Sequence, residues 1–163
     1  MTTIDTHPPQ IGIGLAVLFG LIAVLTTAAS LPSLVPGLFG LLFLVVGTAR
    51  EIGSLVTIGA GSFVIAILVA GIAGTSPVFL LIATSATVLA WDTGIQAIDL
   101  GTMLGRKANT SRPLVVHSAA STAIAAIVSG LGYAVYHIVS GSQPVTALVL
   151  LLFGALVLIA LLR

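Results

Sequence analysis

The sequence predicts an all-α integral membrane protein, a single helical bundle of six transmembrane helices arranged as three antiparallel hairpins. Three observations predict it. Mean hydropathy is +1.29, with 58% hydrophobic and 6% charged residues, where soluble domains average about 45–50% apolar and about 25% charged. Long apolar runs show no strand alternation, and in lipid such runs satisfy their backbone polar groups as helices. The seven prolines, at 8, 9, 32, 36, 77, 113 and 144, fall at the edges of those runs, where helix starts and turns tolerate them.

Taken in order, the spans are read at 11–30, 34–49, 53–74, 77–91, 113–139 and 144–162. Most approach the roughly 20 residues that cross a bilayer. The second is short, rising only about 24 Å at 1.5 Å per residue. It therefore tilts little, begins as early as Leu31 or fails to cross, and five spans with a re-entrant segment is the alternative architecture. The connections at 31–33, 75–76 and 140–143 carry no charge, and their shortness forces antiparallel neighbours. The tail before Ile11 has no basic n-region and no small-residue cleavage site follows, so the first run is expected to be retained.

Arg50, Arg106, Lys107, Arg112 and Arg163 all lie where alternate apolar stretches end. Because translocating Lys and Arg is unfavourable, that side is expected to face the cytoplasm, with both termini there and the bundle in the cell membrane. A net charge of +1 from so few groups excludes a nucleic-acid surface and a polybasic lipid patch. The absence of cysteine excludes disulfides, thiolate metal sites and a thiol nucleophile.

Residues 92–112 form the one soluble segment of any size, with two of the four acids and three of the five basic residues. On a helix Asp92, Gln96, Asp99 and Arg106 share an arc of about 80°, while Ala97, Leu100 and Leu104 point away. An amphipathic helix is expected, extending the fourth span or lying on the inner leaflet with Trp91 at headgroup level. Asp92, Gln96, Asp99, Arg106, Lys107 and Arg112 are the candidate residues for docking a protein partner.

Ser118, Thr122, Ser129 and Tyr136 share one face of the fifth span and form a candidate polar seam. Small and hydroxyl residues let helices approach and bond across, so the seam is either packing or the wall of a polar pathway. Ser62, Ala66, Ala70 and Gly74 recur every fourth residue as a small-residue ridge, suited to packing inside the bundle or between protomers of a homo-oligomer. His117 and His137 are twenty residues apart, about 30 Å along a helix, so they share neither metal nor proton. The four acids read as lying outside the spans, which leaves no acid for ion coupling. No HExxH, Walker loop or GxGxxG after a strand occurs. No cofactor or metal is expected. Ser62 with one of the histidines is the best available nucleophile and base, but its context Gly59-Ala60-Gly61-Ser62-Phe63 is no nucleophile elbow.

Trp91-Asp92-Thr93-Gly94, Leu100-Gly101-Thr102-Met103-Leu104-Gly105-Arg106, Thr110-Ser111-Arg112, Val116-His117-Ser118-Ala119-Ala120-Ser121, Tyr133-Ala134-Val135-Tyr136 and Gly141-Ser142-Gln143-Pro144 carry a resemblance. Over about residues 91–163 the chain resembles an uncharacterised family of small multi-spanning membrane proteins from halophilic archaea. The resemblance implies a cell-membrane location and no catalytic assignment. The expected role is a non-enzymatic scaffold or assembly subunit whose cytoplasmic segment docks a partner. The alternative is a channel or carrier for a small neutral solute, and an intramembrane hydrolase is the remote third reading.

Overall fold

A computed structural model describes residues 9–28, 31–104 and 111–138, and every regular element among them is helical. The order is α1 (Gln10–Thr27), α2 (Leu31–Ala49), α3 (Gly53–Ile72), α4 (Pro77–Leu104) and α5 (Ser111–Ile138). Each contains a stretch long and apolar enough to cross a membrane. The sixth expected span, 144–162, and the connection 140–143 lie outside the described residues, as do Arg106, Lys107 and Arg163.

Two expectations about the early helices are corrected. Residues 31–33 are not a connection but the first turn of α2, which at 19 residues rises about 28 Å and lies between α1 and α3 in length. Pro36 therefore lies inside a helix. Its missing N–H removes a single bond, to the carbonyl of the exposed Pro32, in a stretch otherwise held by packing of Ser33, Gly37 and Gly40. The Ser33 hydroxyl donates to the Thr27 carbonyl, tying α2 to the end of α1.

Helix ends follow from local backbone chemistry. At the end of α3, Thr75 N–H bonds the Ala70 carbonyl and Gly74 N–H the Gly71 carbonyl, both at 3.0 Å, with Gly74 at φ +84°. This is a Schellman cap, and glycine takes the left-handed position without steric strain. Gly74 consequently leaves the ridge predicted for it, while Ala66 and Ala70 are buried within the chain. The same 6→1 bond, Ile52 N–H to the Gly47 carbonyl, closes α2, with Glu51 at φ +60° in the turn that follows Arg50.

Residues 1–130 make one compact unit and 131–163 a second. In the first, α2 packs chiefly on α3 and α1 chiefly on α4, with α3 on α4 and α1 on α2 completing a ring of four. Val24, Leu44, Val56 and Phe63 fill its centre with Ala86, Ala90 and Ile98. Closest approach uses glycine. A methyl group at Gly40 would stand 2.9 Å from the Gly59 carbonyl oxygen, and one at Gly59 2.8 Å from the Gly40 oxygen. The buried hydroxyls of Thr27, Thr48, Thr87 and Thr93 donate to carbonyls one turn back, which satisfies them without another helix.

Candidate functional site

The extension of the fourth span past Trp91 that the sequence allows is found in α4. At 28 residues it rises about 42 Å, and its candidate span runs Pro77–Met103. Asp92 is thus inside the helix that packs the bundle, not in a loop beyond it. Thr93, Gly94, Ala97, Ile98 and Gly101 are buried, while Asp99, Thr102 and Met103 are exposed. That is the amphipathic division expected from the 100° spacing, carried by a continuation of the same helix.

The glycine contacts set the level of Asp92. Gly12, near the start of α1, abuts Ala97 so closely that a methyl group there would stand 2.5 Å from the Ala97 Cβ and 3.4 Å from Leu114. A methyl on Gly94 would lie 3.2 Å from Thr48, at the end of α2, and one on Gly53 would lie 3.5 Å from Ile95. The start of α1, the turn holding Arg50 and the start of α5 holding Arg112 therefore share one end, called here the basic end. Asp92 lies five residues along α4 from Ala97, about 7 Å deeper into the bundle.

At that depth Asp92 Oδ2 meets His117 Nε2 at 2.9 Å, and the Ser121 hydroxyl lies 3.4 Å from the same nitrogen. Acid and imidazole side chains are 40% and 44% exposed, so the pair opens on the flank of the helices rather than in the core. Because carboxylate and hydroxyl share one ring nitrogen, the trio is not an acid–base–nucleophile relay, which needs the two on opposite nitrogens. Among the described residues no group of three or more His, Cys, Asp or Glu side chains could hold a metal ion.

The polar seam is partly assembled. The Ser129 hydroxyl bonds that of Ser85 at 2.7 Å, linking α5 to α4. Thr122 instead donates to the Ser118 carbonyl at 2.6 Å. Ser118 is 4% exposed, and its hydroxyl, like the Gln96 side-chain oxygen, is buried without a hydrogen-bond partner. Gln96 and Ser118 each stand eleven residues, about three turns, from the bonded Ser85 and Ser129, so the two unpartnered groups occupy an equivalent register of the α4–α5 pair. In the second unit Tyr136 is exposed, and the His137 ring lies edge-on to Tyr133 and Tyr136, with centroids 4.5 and 5.8 Å apart.

Of the six docking candidates, Asp92 is engaged by His117 and Gln96 is half-buried, whereas Asp99 and Arg112 are exposed. Arg106 and Lys107 lie outside the described residues. The acid–imidazole pair escaped sequence reading because its members are 25 residues apart on different helices. The available signal was that both fall in the otherwise uncharged turns flanking the segment 93–116.

Between the Ser85–Ser129 link and Asp92 lies a cavity of about 240 Å³, lined by Phe19 and Ile22 of α1, Ser85 and Leu89 of α4, and Thr122 and Ala125 of α5, among others. Its surface is almost wholly apolar. Among the described residues, fold and site together define an all-helical protein with five helices of membrane-spanning length and a polar α4–α5 contact near their basic end. The chain belongs to a family of unknown function, DUF7519, whose model matches residues 6–159. The family likeness thus covers the first four helices as well as the region from Trp91 onward. No curated protein and no solved structure matches the chain.

Proposed function

We propose that this is a non-enzymatic integral protein of the cell membrane, an assembly subunit that docks a protein partner at its cytoplasmic, basic end. The observation that carries this reading is the projection of α4. Counted from the Gly12–Ala97 contact, α4 continues seven residues to Leu104 while α1 begins two residues away at Gln10, so α4 extends roughly 7 Å further. Asp99 stands at its base, level with the start of α1, and the projection presents Thr102 and Met103, the last 80% exposed. A carboxylate beside a flexible apolar side chain is the kind of surface that a partner helix or loop covers. The basic residues support a cytoplasmic orientation, and the resemblance over residues 91–163 supports a cell-membrane protein of halophilic archaeal type.

The docking set narrows accordingly to Asp99, Met103 and Arg112 with Arg106 and Lys107. The neutral-solute reading draws less support, because Thr122 and Ser129 spend their hydroxyls on a carbonyl and on Ser85. A photo-crosslinking residue placed at Asp99 or Met103 in cells should give one discrete heavier adduct, while one at Leu68, 61% exposed in mid-span, should give only lipid adducts. A lone monomer from both end positions, together with normal behaviour of Asp99→Ala and Arg106→Ala cells, would defeat the reading.

A further inference from the structure

Ser85, Leu89, Asp92 and Gln96 form one stripe along α4, spaced four, three and four residues apart, and Ser118, Thr122, Ala125 and Ser129 form the matching stripe on α5. The bonded Ser85 and Ser129 set these stripes face to face. The helices do not close between them. The cavity of about 240 Å³ occupies the middle of the seam, with Leu89 and Ala125 on opposite walls and Phe19 and Ile22 forming the third side. Along α4 its lining runs about 10 Å, from Ile82 to Leu89, and Asp92 stands one turn beyond Leu89 towards the basic end.

Water has few partners in such a space. An apolar cavity larger than roughly 150 Å³ takes apolar guests in preference. One end of this cavity, however, is polar. One turn past Leu89 the half-exposed Asp92 carboxylate stands with His117 and Ser121, and buried beyond them are the unpartnered Gln96 oxygen and Ser118 hydroxyl. The accessible groups at that end are the Asp92 carboxylate and the Ser121 hydroxyl, and no Lys or Arg belongs to either stripe. Such a set accepts hydrogen bonds from a hydroxyl and repels a phosphate.

We infer that the α1–α4–α5 cavity is a binding site for one chain of a neutral, hydroxyl-headed membrane lipid, with the hydrocarbon between Leu89 and Ala125 and the headgroup hydroxyl on Asp92. Helices packed with small residues at 86, 125 and 126 leave the room, and Ser85 and Ser129 lie in its wall with Ile82 beyond them. This site is separate from the projecting surface at Asp99 and Met103, so either reading can fail without the other.

Phe19→Trp, in the cavity wall, reports occupancy in a Trp91→Phe background, because Trp91, the single tryptophan, turns its indole N–H to Thr57 on α3. The full chain is reconstituted in phosphatidylcholine bilayers with increasing fractions of a chain-brominated monoacylglycerol, or of brominated phosphatidylglycerol for comparison. Quenching of the Phe19→Trp reporter by the monoacylglycerol should saturate, and by phosphatidylglycerol should only rise linearly with its fraction, as random lipid contact does. Ala125→Phe, which fills the cavity, should remove the saturable phase. Asp92→Asn should weaken it by about tenfold, the effect of one lost hydrogen bond to a charged group. Should Ala125→Phe fail to fold, Ala125→Leu narrows the same wall and should weaken the saturable phase. Linear quenching by both lipids, saturation by both, or saturation unchanged in the folded Ala125 variant would overturn the inference.

Discussion

Ser118 and Ser129 stand three turns apart on the same face of α5, yet their hydroxyls meet opposite fates. Ser129 is bonded to Ser85, whereas Ser118 is buried without a partner. Ser129→Ala should therefore lower stability by about 0.6 kcal/mol, the average for an interhelical hydrogen bond in a membrane protein. Ser118→Ala should lower it by nothing and raise it by as much as about 1 kcal/mol, because it removes a buried group that no bond compensates. Thermal unfolding of the two variants in one detergent checks the contrast, and equal losses would contradict it. The Asp92–His117 pair is short but open to its surroundings, so its coupling is modest. A double-mutant cycle with Asp92→Ala and His117→Ala should give about 0.2–1 kcal/mol. The residue types that build these contacts were legible in the sequence. Their pairings were not, since residues 85 and 129, or 92 and 117, meet only once α4 and α5 are placed antiparallel in one register.

Among the helices, α3 carries the clearest test of what its glycines do. Gly59 faces the Gly40 backbone so closely that a Cβ has no room, while a Cβ on Gly61 would meet nothing within 4 Å. Gly59→Ala should destabilise the α2–α3 contact by about 1–3 kcal/mol, the usual penalty of overpacking. Gly61→Ala should be neutral or stabilising by up to about 1 kcal/mol through helix propensity. Measuring both in the same unfolding experiment separates close packing from a general effect of glycine. Apolar run length located all five described helices, because burying backbone polar groups in an apolar medium demands helix irrespective of neighbours. Boundaries were less legible. Pro32 and Pro36 read as punctuation, yet α2 accommodates both because its packing outweighs one missing hydrogen bond. Asp92 likewise read as the start of a soluble segment, whereas burial of Thr93, Gly94, Ala97 and Ile98 on the bundle keeps the helix going to Leu104.

For the whole molecule, the ring of α1 to α4 brings Gln10, Arg50, Asp99 and Arg112 to one end and the Thr75–Ser76 turn to the other. The chain has no cysteine, so single replacements report topology directly. Ser54→Cys and Thr102→Cys should react with a membrane-impermeant thiol reagent only after the cytoplasmic face is opened. Ser76→Cys should react in intact cells. Reaction of Ser54→Cys and Ser76→Cys from the same side would refute the alternating arrangement of α3.

Composition and run length by themselves determined that the described residues are helical and that their helices are long and apolar enough to cross a bilayer. These properties follow from the solvation of each segment and need no knowledge of its neighbours. Tertiary structure alone decided that α1 closes the ring against α4, that Asp92 sits within the packed helices facing His117, and that the α4–α5 seam stays open between Ser85–Ser129 and that pair. Leu-rich helices offer many nearly equivalent faces to one another. Which faces meet is settled by where glycine and alanine permit close approach, and that choice exists only in the assembled bundle.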